Sequence, residues 1–432
     1  MPTPKAPRLR APAIAALAGF LVLACGDGKT PKQKEPKVEP PPQSVATAAP
    51  VDPPTSLVTE ITVNEDPTSG PGIYKFRCSG CHGMTGDGKG ETKLETPARS
   101  FQEGRFAFGD TREAIFRTIT SGVPGRSKMA GFGDVLSEEE RWKVVDHVLT
   151  LMPAKKPVSD AETRIEVKQQ PVVVRGMLDA IANGVPHRPR GLLVGYPGGM
   201  SFEYRTDDVR LLGVRQGEFV KRTDWDGRGG TPLKVLGNVV LLAGGGNPEA
   251  PFSVVAGGRR AALAANFTGT WIHEKTAGLS YRLENEEGRA LAKVEESHRI
   301  ESCSIGLAFT RQFTLTSRND AASETFVLDA TGADKSAAWT AGYPEATKPE
   351  LGLEVAPIDP KGWIARKDGS GTQTAWRIAA PAAARVVKDA NALLVALALE
   401  PKAQAVVEFT CVLATQDLNA ETLAKLAKEM VK

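Results

Sequence analysis

The sequence predicts a multidomain chain in which a small all-α domain is followed by a mainly β, antiparallel sandwich-like domain. Its 432 residues exceed the usual length of one domain. Two capped amphipathic helix patterns lie within residues 61–153, whereas short alternating apolar runs, separated by glycine and proline turns, fill residues 166–432. The balance of 41% hydrophobic and 24% charged residues excludes a wholly disordered chain and a polytopic membrane protein.

Residues 1–25 have the features of a lipoprotein signal peptide. The first ten residues are basic, and the following apolar run, which ends at Ala24, is too short to span a bilayer. The sequence VLAC, ending at Cys25, resembles the lipobox of bacterial lipoproteins, in which the cysteine is acylated. This resemblance implies a lipid anchor on Cys25 and a position on the periplasmic side of a bacterial membrane. The alternative is an ordinary signal peptide with a chance cysteine.

Residues 26–60 are rich in proline and contain almost no large apolar side chains, so they predict a disordered tether. The chain as a whole carries a net charge of +3. Lys5, Arg8 and Arg10 account for this surplus, and all three lie in the signal segment. We therefore expect no nucleic-acid partner, because nucleic-acid-binding proteins are usually basic on at least one face.

The pentapeptide Cys78-Ser79-Gly80-Cys81-His82 predicts a covalent haem site. Two thiols three positions apart on a helical turn can add to the two vinyl groups of one haem, and the imidazole of His82 can reach the iron. A redox disulfide would not need the adjacent histidine. Half of a zinc site would need a second Cys or His pair, which is not evident nearby. The predicted cofactor is one covalently bound haem c.

The segment GIYKFR, followed by CSGCHGMTGDGKG, resembles the opening of a class I, mono-haem cytochrome c domain. The resemblance extends over residues 61–153. It implies that a methionine on a later loop is the second axial ligand, and Met129 lies on a glycine-punctuated and proline-punctuated segment between the two helix patterns. Met84 is too close to His82 to reach the other haem face, and Met152 lies at the far end of a helix. The predicted iron ligands are therefore His82 and Met129.

The same resemblance implies two supporting roles in the loop that follows the pentapeptide. The carbonyl group of Pro97 would face the other ring nitrogen of His82, and Arg99 would pair with a haem propionate. A plain loop with a solvated arginine remains the alternative. An iron ligated by histidine and methionine has no open coordination position, so the resemblance implies one-electron transfer.

The two helix patterns can also be derived from the residues alone. Asp110 to Glu113 form a capping-box pattern, and Gly122 ends the helix that follows it. Ser137 to Glu140 repeat the box before an apolar stripe with helical spacing. His147 lies beside that stripe, and we interpret it as a packing or surface residue.

A linker is predicted over residues 154–165, before the β-rich domain of residues 166–432. The apolar runs that predict strands include GLLVG at 191–195, LAFTRQFTL at 307–315 and VVEFTCVL at 406–413, and a short helix is predicted from Asn419 to Met430. The stretches GLLVGYPGGM at 191–200, FEY at 202–204, WDGRGG at 225–230 and FTGTW at 267–271 resemble a β-rich region found beside cytochrome c in exported proteins of planctomycetes and their relatives. That resemblance implies an architecture, and it assigns no activity to the region.

Cys303 and Cys411 form an even pair in a compartment that permits disulfides. A bridge between these two predicted strands and two buried free thiols are both compatible with the sequence. The pair is thus a candidate disulfide.

Two functions follow from these features. The first is a membrane-tethered electron carrier that is not itself an enzyme, exchanges electrons with a periplasmic redox protein and uses the β-rich region as a docking or binding module. The second is a redox enzyme in which the β-rich region binds a carbohydrate ligand, one of His187, His273 and His298 acts as a general base, and the haem accepts electrons. No phosphate loop, nucleophile elbow or dinucleotide fingerprint is present.

Overall fold

The fold is taken from a computed structural model of the chain. The structure describes residues 66–104, 106–125, 129–153, 162–182, 188–223, 233–243, 250–320, 322–332, 334–345 and 347–430. The predicted signal peptide with Cys25, the predicted tether and His187 lie outside these residues. Within the part of the chain that the structure describes, no helix has the length and apolar character needed to cross a membrane.

Five helices are present among the described residues: α1 (Gly70–Arg77), α2 (Ser79–His82), α3 (Arg112–Ser121), α4 (Glu138–Thr150) and α5 (Ala420–Glu429). The predicted capping box at Ser137 is complete, because the Ser137 side chain and Glu140 each bind the backbone of the other. Helix α3 is capped by Thr111, whose hydroxyl accepts a hydrogen bond from Ala114, and it ends at Gly122. The predicted start and end of α3 are thus correct to within one residue.

The rest of the described chain is built from strands. They are β1 (Glu162–Ile165), β2 (Val172–Leu178), β3 (Arg188–Gly195), β4 (Met200–Arg205), β5 (Arg210–Gln216), β6 (Val220–Thr223), β7 (Lys234–Val235), β8 (Asn238–Leu242), β9 (Phe252–Ala256), β10 (Arg259–Ala262), β11 (Ala264–His273), β12 (Thr276–Glu284), β13 (Ala290–Glu301), β14 (Gly306–Ser317), β15 (Glu324–Asp329), β16 (Ala338–Ala341), β17 (Lys348–Glu350), β18 (Leu353–Pro357), β19 (Ile364–Lys367), β20 (Gln373–Ala379), β21 (Arg385–Val387), β22 (Leu394–Leu399) and β23 (Gln404–Ala414).

The strands form four antiparallel sheets. The orders are β11-β12-β13-β14-β23-β20-β19-β16, β10-β9-β15-β22-β21-β18-β17, β2-β3-β4-β5-β8 and β1-β6-β7. One hydrophobic core joins the eight-stranded, seven-stranded and five-stranded sheets, with Phe309 from the first, Phe326 from the second and Phe202 from the third. Apolar faces of different sheets share this core, which confirms a mainly β, antiparallel C-terminal region built from several sheets.

The predicted linker is too long at its C-terminal end. Strand β1 begins at Glu162 and pairs antiparallel with β6, so residues 162–165 belong to the β-rich region. The alternating pattern of this four-residue strand, ETRI, is too short to be distinguished from a polar linker in the sequence. The predicted C-terminal helix is present as α5, with Asn419 as its N-cap.

Cys303 and Cys411 are free thiols and not a disulfide. Cys411 packs in the core shared by the sheets, whereas its neighbour Val412 packs with Cys303 in a second cluster closed by α5. Successive residues of a strand point to opposite faces. The two sulfurs are therefore separated by the eight-stranded sheet, and a bridge between them cannot form.

The helical domain is packed directly onto the β-rich region. Ala107 and Phe108 are buried in the core of the sandwich, and Val123 packs against the same core. The Asn238 side chain donates a hydrogen bond to the Ala107 carbonyl oxygen. Apolar burial and polar contacts thus join the two parts.

Candidate functional site

The three side chains of the predicted haem-binding pentapeptide lie on one helical turn. Helix α1 ends at Arg77, and Cys78 is both its C-cap and the N-cap of α2. The Cys78 carbonyl oxygen accepts hydrogen bonds from the backbone N–H groups of Cys81 at 3.2 Å and His82 at 2.9 Å. This turn presents the two thiols and the imidazole as one group, which is the arrangement that two thioethers and an axial ligand require.

His82 is oriented by the loop that follows it. Its Nδ1 lies 3.3 Å from the Arg99 carbonyl oxygen, and its ring stacks on Phe101 with 4.7 Å between centroids. Burial lowers the pKa of His82, which favours the neutral imidazole. In the tautomer that donates from Nδ1 to this carbonyl, the lone pair of Nε2 is available for a metal.

The carbonyl at His82 was predicted to be that of Pro97, and this prediction is wrong. The acceptor is the backbone oxygen of Arg99, two residues further along. Every residue carries the same carbonyl group, so only the path of the chain decides which one reaches the ring. The structure does not test the predicted pairing of the Arg99 side chain with a propionate.

Glycines let the loop return closely over the pentapeptide. The Gly90 N–H donates to the Cys81 carbonyl oxygen at 3.2 Å, and a Cβ at Gly90 would lie only 2.2 Å from the Gly80 oxygen. Gly86 has a φ of +72°, and its carbonyl accepts from Phe101. These positions require glycine, and they place Phe101 against His82.

The segment that contains Met129 lies against the same helical core as the pentapeptide. Met129 and Cys78 both pack against a cluster that includes Ile115 and Val145. The Met129 carbonyl oxygen accepts a hydrogen bond from the Val123 N–H at 2.9 Å. In contrast, Met84 is 57% exposed, and Met152 packs on this cluster after the end of α4.

The donor set fits a haem. Burial raises the pKa of the Cys78 thiol to about 12, and Cys78 packs against the apolar cluster of the helical domain. Cys78, Cys81 and His82 supply two thiols and an imidazole nitrogen, and no group of three or more His, Cys, Asp or Glu side chains that could hold a metal ion is found among the described residues. Two thiols and one imidazole are the groups that a covalently held haem uses.

His147 is a packing residue, as predicted. Its ring contacts Tyr74 edge-to-face, with centroids 5.0 Å apart. The Tyr74 hydroxyl donates to the Gly83 carbonyl oxygen at 2.8 Å, which ties α1 to the first residue after α2. His147 therefore supports the pentapeptide from α4 through Tyr74.

His298 lies in a closed polar cluster in the β-rich region and not in an open groove. Its Nε2 is 2.6 Å from the Tyr204 hydroxyl, which in turn donates to Glu296 at 2.6 Å. Phe202 stacks on the imidazole at 3.8 Å between centroids. Burial, with the nearby charge of Arg311, lowers the pKa of His298 far below its ordinary value. His298 is therefore neutral and closed to a substrate.

Glu296 is the centre of this cluster. One of its carboxylate oxygens accepts hydrogen bonds from Arg311 Nε at 3.0 Å and Nη2 at 2.8 Å, and the other accepts from the Tyr281 hydroxyl at 3.1 Å. Arg311 also donates to the Ala330 carbonyl oxygen. Because both charges are buried, removing either partner would leave the other without a counter-charge.

Sequence reasoning missed this cluster, although a signal was available. In strand β14, Arg311 alternates in phase with Phe309 and Phe313, which both point into the core. In β13, Glu296 is likewise in phase with buried Val294. Two opposite charges on the apolar phase of neighbouring strands indicate a buried ion pair.

His273, the other described histidine of the β-rich region, lies at no polar cluster of this kind. His273 is exposed at the end of β11, next to Glu274, and His187 lies outside the described residues. The general-base role that was considered for these histidines therefore has no structural support at His273 or His298.

The helical domain matches a known family. The family model described as "Cytochrome C oxidase, cbb3-type, subunit III" matches residues 65–148. This stretch contains the pentapeptide, the Met129 segment, helices α1 to α3 and most of α4. It is a cytochrome c domain, which confirms that part of the prediction and indicates a haem cofactor and electron transfer.

Comparisons of the whole chain give only weak similarities. No curated protein matches it. A galactose mutarotase-like protein from Clostridium acetobutylicum is 10% identical, with a TM-score of 0.29, and the match covers 57% of this chain and 100% of that one. A putative kojibiose phosphorylase from the human microbiome is 9% identical, with a TM-score of 0.32, over 62% of this chain and 36% of that one. HI1317 is 12% identical, with a TM-score of 0.29, and the match covers 55% of this chain and 99% of that one.

Proposed function

We propose that the protein is an exported one-electron carrier with one covalent haem c. In this proposal Cys78 and Cys81 form thioethers with the haem, while His82 and Met129 ligate the iron. The haem supplies reversible one-electron exchange when bound. The β-rich region is the module that docks a periplasmic redox protein, and a lipid on Cys25 holds the chain at a membrane.

The observation that carries this proposal is the orientation of the His82 imidazole ring. The Arg99 carbonyl oxygen lies at Nδ1, and the ring is fixed on Phe101, so Nε2 is the nitrogen that can bind iron. A histidine held in this way, directly after two thiols on one helical turn, has the orientation that an axial ligand needs.

The other residues around the pentapeptide favour electron transfer over chemistry on a substrate at the iron. The Met129 segment is held by the Val123 hydrogen bond and by packing on the helical core. If His82 and Met129 both ligated the iron, no position would be open for a substrate, and the methionine would raise the reduction potential. The chain then contributes orientation and exclusion of water, and no proton transfer at the site is needed.

Covalent attachment is tested by producing the full chain in a bacterial host with cytochrome c maturation machinery. We expect the mass of the mature protein to include one haem, and we expect the haem to remain bound after acid-acetone extraction. The double variant Cys78→Ser and Cys81→Ser loses the covalent haem, whereas Cys303→Ser, a buried cysteine elsewhere, keeps it. A mature chain without added haem mass would refute the proposal.

The membrane tether is tested separately by cell fractionation. The natural chain is expected in the membrane fraction, and Cys25→Ala is expected to remove the lipid and release a haem-loaded protein or leave an uncleaved precursor. Equal membrane association of the two proteins, with the same mature mass, would rule out acylation at Cys25 without affecting the haem assignment.

A further inference from the structure

A cleft of about 360 Å³ lies between helix α3 of the cytochrome c domain and the β-rich region. Its walls come from both parts, with Phe108 and Ala114 on one side and Met200, Phe219 and Leu236 on the other. Volumes of this size at a junction between domains are typical of small-molecule sites, which combine apolar walls with a few polar groups.

Arg117 is the cation of this cleft that has no ion-pair partner among the described residues. Its Nε is buried and has no hydrogen-bond partner, and the guanidinium makes no ion pair within the described part of the chain. Its Nη2 approaches Gly199, where an added Cβ would lie 3.2 Å away. Gln216 adjoins the same glycine, and its buried Oε1 is also without a hydrogen bond. Unmet buried polar groups beside a cavity indicate a missing ligand or water.

The other cations of the cleft are already neutralised. Arg164 binds Glu218 through two oxygens at 3.0 and 3.1 Å, and Lys168 lies 3.6 Å from Glu166. Burial lowers the pKa of Arg117, and the charge of Glu113 opposes this shift. Two ion pairs therefore leave one half-buried guanidinium, with an exposed carboxylate four residues before it on the same helix.

We propose that this cleft binds a small monocarboxylate with an apolar body, whose carboxylate pairs with Arg117. A planar carboxylate matches the fork of a guanidinium. A doubly charged anion such as phosphate is disfavoured, because Glu113, Glu166 and Glu218 also line the cleft. The apolar walls receive the body of the ligand. This site is independent of the haem and of its ligands.

The probe is benzoate, titrated calorimetrically into the full chain, with benzamide as a neutral isostere and inorganic phosphate as a second anion. We expect one saturable benzoate site with a dissociation constant near or below about 1 mM. Benzamide should bind at least about tenfold more weakly, because it lacks the charge that Arg117 pairs with. Phosphate should bind no more tightly than benzamide.

Two substitutions of opposite effect locate the site. Arg117→Gln should weaken benzoate binding at least about tenfold. Glu113→Gln should strengthen it about twofold, because it removes a repelling charge. Arg112→Gln is the matched control on the same helix, since Arg112 pairs with Asp146 and does not line the cleft, and it should change binding less than twofold. If Arg117→Gln fails to fold, two comparisons still test the proposal. They are benzoate against benzamide, and Glu113→Gln against the natural chain.

Three results would each overturn the proposal. They are the absence of saturable benzoate binding, equal binding by Arg117→Gln and the natural chain, and phosphate binding as tight as that of benzoate. None of these results depends on whether haem is attached, so the haem assignment and the cleft can fail separately.

Discussion

Arg311 and Glu296 form a buried ion pair between neighbouring strands of the eight-stranded sheet, with two guanidinium nitrogens on one carboxylate oxygen. The side chains are 6% and 0% exposed. The pair lies where the five-stranded and eight-stranded sheets meet, since Tyr204 from β4 also binds Glu296. It therefore couples two sheets through one carboxylate.

Removing Arg311 should destabilise the fold strongly. Arg311→Met leaves Glu296 buried without its cation, and we expect a loss of about 3 to 5 kcal/mol in the free energy of unfolding. Urea denaturation followed by circular dichroism measures this loss. Arg299→Met is the matched control, because Arg299 also pairs with a glutamate from a nearby strand, Glu408, but is 47% exposed. It should cost less than about 1 kcal/mol.

Stability should fall as the pH drops below about 6.5, through His298. Its pKa in the folded chain lies far below the ordinary value of 6.5, so the unfolded chain binds a proton that the folded chain does not. The loss for this group is at most about 1.4 kcal/mol per pH unit, and it fades as the pH rises above 6.5. Denaturation at pH 7.5, 6.5 and 5.5 measures it.

The slope between pH 6.5 and 5.5 should become smaller in His298→Gln. It should stay the same in His273→Gln, because His273 is exposed. If the slope is the same in His298→Gln and the natural chain, buried neutral His298 is not the source of the pH dependence.

Cys303 and Cys411 should behave as two protected thiols. Burial raises the pKa of Cys303 to about 12 and that of Cys411 well above its ordinary value, so neither forms a reactive thiolate in the folded protein. Iodoacetamide should label both only after unfolding without reductant. Peptide mass mapping checks this, and a peptide pair linked through the two cysteines would contradict the separation by the sheet.

The assignment of Met129 predicts a change in reduction potential. In the haem-loaded protein, Met129→Ala should lower the potential and remove the spectral band of methionine ligation, because methionine raises the potential. Spectroelectrochemistry measures both. Met152→Ala, which also trims a methionine packed on the same core, should leave them unchanged. An unchanged potential in Met129→Ala would mean that another group ligates the iron.

The sequence predicted helices and strands better than it predicted contacts between residues. Apolar alternation located β14 and β23, and the Ser137 box fixed the start of α4, because local patterns determine these features. The Arg99 carbonyl at His82 was not predictable, since a backbone oxygen carries no signal in the sequence. The separation of Cys303 from Cys411 depended on which strand face each cysteine occupies, and the Arg117 cleft depended on the junction between the two parts.

The burial of Ala107 and Phe108 in the sandwich core has a consequence for how this protein can be divided. If the chain were cut between α4 and β1, the helical fragment would expose Ala107 and Phe108. The β-rich fragment would have a cavity where these two side chains pack. Neither fragment could therefore be transferred unchanged to another protein as a separate domain. A recombinant haem-binding fragment should be prone to self-association. The cytochrome c domain is thus a structural part of the same folded unit as the β-rich region.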